Sequence, residues 1–99
     1  MAISVRIEGG RVAALSQRVE ACAFGQAAAA LMGAAAVGTG ADEVRGAIEE
    51  IAAWLSGDDS AAVSWPGLEV LEPARARAGR HGAILLPFLT LLAAIEEAR

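Results

Sequence analysis

Cys22 is the most chemically reactive side chain in this sequence, and it is the only cysteine among the 99 residues. It stands where an alternating pattern typical of strands gives way to an alanine-rich segment typical of a helix. A thiol at a helix N-terminus faces unpaired backbone N–H groups and the positive end of the helix dipole, and both favour thiolate. Thiolate binds metal ions or attacks sulfur. Cys22 is therefore a candidate metal ligand or sulfur acceptor, with a buried, inert cysteine as the alternative.

The hydrophobic periodicity predicts a strand hairpin followed by helices. Residues of the first segment alternate between apolar and polar types up to Gly9-Gly10, a pair that suits a tight hairpin turn. Thr39 begins a capping pattern with Asp42 three residues later, ahead of an amphipathic helix. We expect strands at about 3–8 and 11–20 and helices at about 23–37, 41–56, 73–77 and 83–98, all within one domain of residues 1–99.

Charge and composition exclude several classes of protein. The net charge is −4 and all eight basic residues are arginine, so nothing favours nucleic-acid binding. Arg75, Arg77 and Arg80 form the one basic cluster, which is either a solvated loop or a contact for a partner or anion. One cysteine forms no internal disulfide, and the apolar run 83–95, interrupted by Pro87, is short for a bilayer. We therefore expect a soluble cytoplasmic protein without a membrane partner.

Two motifs resemble those of a known family. The pattern Cys-x-x-x-Gln-Ala-x-Ala-x-x-Met, from Cys22 to Met32, resembles the second-cysteine motif of iron–sulfur cluster assembly scaffolds of the IscU, SufU and NifU N-terminal type. Pro73-Ala74-Arg75 followed by the segment Arg80–Phe88 resembles the third-cysteine segment of the same family. The resemblance extends over nearly the whole chain, with the expected hairpin before the motifs and the expected helix between them.

The resemblance implies both a fold and a function. It implies an α+β fold with a small antiparallel sheet packed on one face by about four helices. The family has three strands, and the first of these is missing ahead of Ile3. Scaffolds of this type accept sulfur from a cysteine desulfurase and bind iron, zinc or an iron–sulfur cluster through three cysteines and an aspartate or histidine. The chain is thus expected to be an assembly protein and not an enzyme.

The ligand set implied by the resemblance is incomplete in this sequence. Cys22 matches the second cysteine, whereas the third-cysteine position falls on Gly82, which has no ligand atom. His81 stands where some members carry a histidine ligand, so Cys22 and His81 are the expected metal ligands. A histidine hydrogen-bonded to backbone near a helix start is the alternative for His81. The first cysteine and its aspartate are also missing ahead of Ile3.

Three hypotheses follow from this shortage of ligands. In the first, the chain acts in cluster assembly through Cys22, and two copies paired by their open strand edges pool Cys22 and His81 into one Cys₂His₂ site. That site requires the two sulfurs to lie within about 4 Å of each other. In the second, the chain is a structural or interaction module that docks a partner without metal chemistry. In the third, Met1 is not the true start, and the missing strand and ligands are encoded upstream.

Overall fold

A two-stranded antiparallel hairpin begins the chain. The computed structural model describes residues 1–98, in which strands β1 (Ala2–Glu8) and β2 (Arg11–Arg18) form the sheet. Gly9 and Gly10 make the turn with φ values of 59° and 78°, a region that favours glycine. A register shift between Arg6 and Ile7 leaves one residue of β2 unmatched, so the bulge lies on β2 and β1 stays regular.

Within residues 1–98, three α-helices and two 3₁₀ helices follow the hairpin. The α-helices are α1 (Ala23–Ala35), α2 (Ala41–Leu55) and α3 (His81–Ala98), and the 3₁₀ helices span Leu68–Ala76 and Ala78–Arg80. The predicted α+β class is confirmed. The short helix expected at 73–77 belongs instead to the longer 3₁₀ helix that begins at Leu68. Pro73 lies inside that helix and lacks the N–H group that a regular α-helical turn would use there.

The link between α1 and α2 differs from the capping pattern expected at Thr39. The Thr39 hydroxyl donates to the carbonyl oxygen of Ala36 at 2.6 Å, so it serves the end of α1. Gly40 is the N-cap of α2. The same link pairs with β2, because the Val12 N–H donates to the Thr39 carbonyl and the Gly38 N–H donates to the Val12 carbonyl, both at 2.8 Å.

Helix α3 is the centre of the core and packs against α1, α2 and β1. Phe88 is fully buried and meets Trp65 edge to face, with ring centroids 5.1 Å apart. The Trp65 indole N–H donates to the carbonyl oxygen of Leu31 at 2.9 Å, which fixes the loop before the 3₁₀ helix to α1. A buried indole is stable there because its polar group is satisfied.

By length and composition alone, the 21-residue segment Ala78–Ala98 could cross a membrane, since an 18-residue window within it has a mean hydropathy of 1.5. This segment is longer than the apolar run 83–95 expected from the sequence, because it includes residues 78–82 and 96–98. The core helix of a soluble protein has the same features. Ile84, Leu91 and Ile95 of this helix are fully buried in the core. Length and composition are therefore weak evidence for a membrane span.

Candidate functional site

The candidate site lies where the N-termini of α1 and α3 come together. Cys22 is the N-cap of α1, with extended backbone. Gly25, in the first turn of α1, is buried, and a Cβ atom added there would lie 3.7 Å from the Cβ of Ala83 in α3. Because Ala83 follows His81 and Gly82 directly, the structure brings the start of α3 to the end of α1 that carries Cys22.

The Cys22 thiol is exposed and its environment favours thiolate. The backbone N–H of Gly25 lowers the pKa of the Cys22 thiol below its ordinary value of 9.0. Desolvation, the next largest effect, raises the pKa and opposes this, and the Phe24 N–H and the Arg80 charge lower the pKa further. Orphan N–H groups at a helix start stabilise negative charge in this way. An exposed thiol with a lowered pKa is suited to chemistry, whereas a buried inert cysteine would lack both properties.

His81 has one ring nitrogen already engaged with the backbone. Its Nε2 atom lies 3.1 Å from the carbonyl oxygens of Ala74 and Arg75. Carbonyl oxygens only accept hydrogen bonds, so Nε2 carries a proton and Nδ1 holds the free lone pair of the neutral ring. His81 is half-buried at the first residue of α3. The alternative expected for His81, hydrogen bonding to the backbone near a helix start, is therefore observed for Nε2. Nδ1 is the ring nitrogen that can still bind a metal.

The three arginines of the basic cluster have different environments. The side chain of Arg75 is 16% exposed; it donates to the Trp54 carbonyl at 2.7 Å and to Asp59 at 2.6 Å. Its guanidinium also lies 5.1 Å from the centre of the Trp54 ring. Arg75 therefore fastens the long 3₁₀ helix to α2. Arg77 and Arg80 are exposed, and only Arg80 acts on Cys22.

The donor atoms near Cys22 are too few for a complete metal site. Within residues 1–98, no group of three or more histidine, cysteine, aspartate or glutamate side chains is placed to hold a metal ion. A closed zinc site needs four protein donors, and a [2Fe–2S] cluster generally needs four as well. The residues present therefore do not fit a cluster held by one copy alone. At Gly82 an added Cβ would meet nothing within 4 Å, so the position has room for a larger side chain.

Gln17 makes a polar contact between β2 and α1 that was not predicted. In the sequence it is visible only as a polar residue that interrupts the apolar face of β2. Its Nε2 atom donates to the carbonyl oxygen of Ala29 at 3.1 Å, which links β2 to α1. Its Oε1 atom is buried without a hydrogen-bond partner among the described residues. The break in the pattern could have marked Gln17 as a contact to a helix, but not which helix.

Comparison with known proteins supports the resemblance through structure. No protein-family model matches the sequence, and no curated protein does. A solved structure does match, titled the crystal structure of a nitrogen-fixing NifU-like protein (N-terminal) from Brucella abortus. Its TM-score is 0.87 at 28% identity, over 97% of this chain and 67% of that one. The two motifs at Cys22 and at Arg80–Phe88 lie on this shared fold. The chain therefore has the fold of this NifU-like N-terminal domain, and the structural match confirms the resemblance to NifU-type scaffolds that its motifs indicated.

Proposed function

We propose that this protein acts in iron–sulfur cluster assembly in the cytoplasm, with Cys22 as an acceptor of sulfur or a ligand for iron or zinc. The NifU-type fold supports the assembly role. The observation that carries the role of Cys22 is its exposed thiol at the start of α1, where the Gly25 N–H lowers its pKa. No catalytic role of the chain's own is proposed, and a cysteine desulfurase is the proposed partner.

The proposed sulfur transfer is a displacement at sulfur. The Cys22 thiolate attacks the terminal sulfur of a persulfide on the donor protein. The bond between the donor's two sulfur atoms breaks, and a new bond forms from the Cys22 sulfur to the transferred sulfur. The donor cysteine leaves as thiolate, and the transferred sulfur keeps its proton. The Arg80 charge and the α1 N–H groups favour the attacking form of Cys22.

Metal binding, where it occurs, involves Cys22 and His81 as part of a larger donor set. Cys22 offers a thiolate and His81 offers Nδ1, while Nε2 of His81 stays with the backbone carbonyls. Two donors leave two positions of a tetrahedral zinc ion for water or for groups of another protein. The proposed protein therefore receives or passes on sulfur or metal, and a complete cluster requires donors from elsewhere.

The test exposes the purified chain to a cysteine desulfurase and its substrate. We expect a mass increase of one sulfur atom on Cys22, reversed by a reducing thiol and absent from Cys22→Ser. Since Cys22 is the only cysteine, any persulfide is assigned without ambiguity. Elemental analysis of protein purified without chelators adds a second measure of metal. Absence of sulfur, metal and desulfurase binding would rule out the proposed role.

A second candidate is a non-catalytic interaction module that keeps the scaffold fold. The hydrogen bonds of His81 Nε2 to two carbonyl oxygens favour it, because they give the imidazole a structural role at the start of α3. The shortage of donors favours it as well. In this case Cys22→Ser would leave partner binding intact, whereas in the first candidate the same variant abolishes sulfur transfer.

A further inference from the structure

The outer edge of β1 has no hydrogen-bonding partner within residues 1–98. β1 pairs only with β2, and no backbone hydrogen bond joins Ala2–Glu8 to any helix or loop. The outer edge of β2 is different, because Val12 pairs there with the Gly38–Gly40 link. A two-stranded sheet is marginal in water, and an unpaired edge readily accepts another strand. β1 is therefore the free edge of the sheet within residues 1–98.

β1 lacks the features that usually block edge pairing. It contains neither proline nor lysine, and its bulge lies on β2. Its two charges, Arg6 and Glu8, form an ion pair with each other on the exposed face. The whole chain carries a net charge of −4, but this edge is neutral. Two copies can therefore approach through β1 with less repulsion than through the acidic remainder of the surface.

We propose that β1 pairs antiparallel with β1 of a second copy, forming a continuous four-stranded sheet with a two-fold axis at Val5. This register uses all seven residues of β1. It places Ile3 opposite Ile7 of the other copy, so that the apolar residues stay on the face covered by helices. On the exposed face it places Ser4 opposite Arg6, and no like charges lie directly opposite each other.

Helix α3 presents an exposed apolar stripe that the same second copy can cover. Leu86 and Leu89 are each 47% exposed, and Gly82 and Ala93 share their face at helical spacing. No charged residue occurs between Gly82 and Ile95. The stripe belongs to the same helix that packs against β1. A second copy supplies both a matching strand and a matching apolar stripe, which a single extended peptide would not.

This arrangement separates the two Cys22 thiols. Ala2 pairs with Arg18, four residues before Cys22, and in the proposed register Ala2 lies opposite Glu8 of the other copy. The two Ala2 residues are then six positions apart along the shared edge, or about 20 Å. A Cys₂His₂ site requires sulfurs within about 4 Å. The edge-paired dimer therefore has two separate Cys22 sites, contrary to the pooled site considered from the sequence.

A pair of matched serine variants tests the proposal by sedimentation of the full chain over a range of concentrations. Ser4 and Ser16 face each other across the hairpin, and both are exposed. Arginine at either position adds one positive charge near Arg6 and Arg18, so the two variants should change the stability of the monomer to a similar extent. Only Ser4→Arg opposes Arg6 of a second copy, twice per dimer. We expect Ser4→Arg to raise the dimer Kd at least about tenfold and Ser4→Glu to lower it, with Ser16→Arg unchanged.

A second pair of variants tests the helical part of the interface. Leu89→Glu should weaken the dimer at least about tenfold, whereas Val70→Glu should not, although Val70 is 64% exposed on the long 3₁₀ helix. Circular dichroism checks that every variant remains folded. The proposal is overturned by a wild-type chain that stays monomeric at millimolar concentration, or by Ser4→Arg and Ser16→Arg that weaken association equally. Because sulfur transfer to Cys22 needs no dimer, either result leaves the proposed function standing.

Discussion

Gly82→Cys is expected to convert the incomplete donor set near Cys22 into a zinc site. An added Cβ at Gly82 meets nothing within 4 Å, and the residue is exposed in the first turn of α3. The position is also the one that matches the family's third cysteine by resemblance. The new thiolate would join Cys22 and Nδ1 of His81 as a third donor. Three protein donors and one water form an open tetrahedral zinc site.

The size of the effect follows from helix propensity and ligand linkage. Replacing glycine inside a helix raises the free energy of unfolding by at most about 0.5 kcal/mol, so metal-free Gly82→Cys should melt no more than about 2–4 °C above the wild type. Zinc at 100 times its Kd stabilises the folded state by about 2.7 kcal/mol, which raises the Tm by about 10–20 °C for a chain of this size. The zinc-dependent shift is therefore several times larger than the shift from propensity.

The assay compares thermal unfolding with and without zinc, and cobalt absorption reports thiolate coordination directly. Gly46→Cys is the matched control, because Gly46 also lies in a helix with open space around an added Cβ, away from Cys22. The double variant Cys22→Ser/Gly82→Cys tests whether both sulfurs are needed. An equal zinc shift in Gly46→Cys, or a shift that survives loss of Cys22, would refute the placement of Gly82 beside Cys22.

Three further predictions concern the thiol and the core. Alkylation of Cys22 should show a pH midpoint below 9.0, and Arg80→Gln should raise that midpoint. Because the folded-state pKa is lowered, the thiolate contributes stability above pH 9.0 that is lost as the pH falls through the folded-state pKa. Phe88→Ala should cost about 3–5 kcal/mol in urea unfolding followed by tryptophan fluorescence. Gly67→Ala should cost about 2 kcal/mol by the same measurement, since Gly67 has a φ of 87° and an added Cβ would lie 2.6 Å from the Leu31 side chain.

Matched controls give each of these predictions a clear contrary result. Arg77→Gln should leave the alkylation midpoint unchanged, since Arg77 does not act on Cys22. Leu89→Ala, beside Phe88 but 47% exposed, should cost far less than Phe88→Ala at concentrations that keep the chain monomeric. Gly57→Ala should lower the free energy of unfolding less than Gly67→Ala. Its φ of 104° strains an alanine, but an added Cβ there meets no other atom within 4 Å. Equal effects within any of these pairs would contradict the stated cause.

The sequence indicated the fold class well because period and punctuation are local properties. Alternating residues on both sides of Gly9-Gly10 predicted the hairpin, and helical spacing predicted α2. Two points were misjudged because they depend on contacts between distant residues. Thr39 bonds back to Ala36 since the link after α1 pairs with β2, and the segment from Leu68 is a 3₁₀ helix.

The sequence by itself determined the inventory of the candidate site: one thiol at the start of a helix, one histidine, and glycine at the position that, by resemblance, is a cysteine in NifU-type scaffolds. These depend only on residue type and order. Tertiary structure alone decided how they can act. It brought the starts of α1 and α3 together through the buried Gly25, turned Nε2 of His81 to two carbonyl oxygens, and left the edge of β1 open. Those outcomes depend on packing between segments far apart in the chain, which no local pattern records.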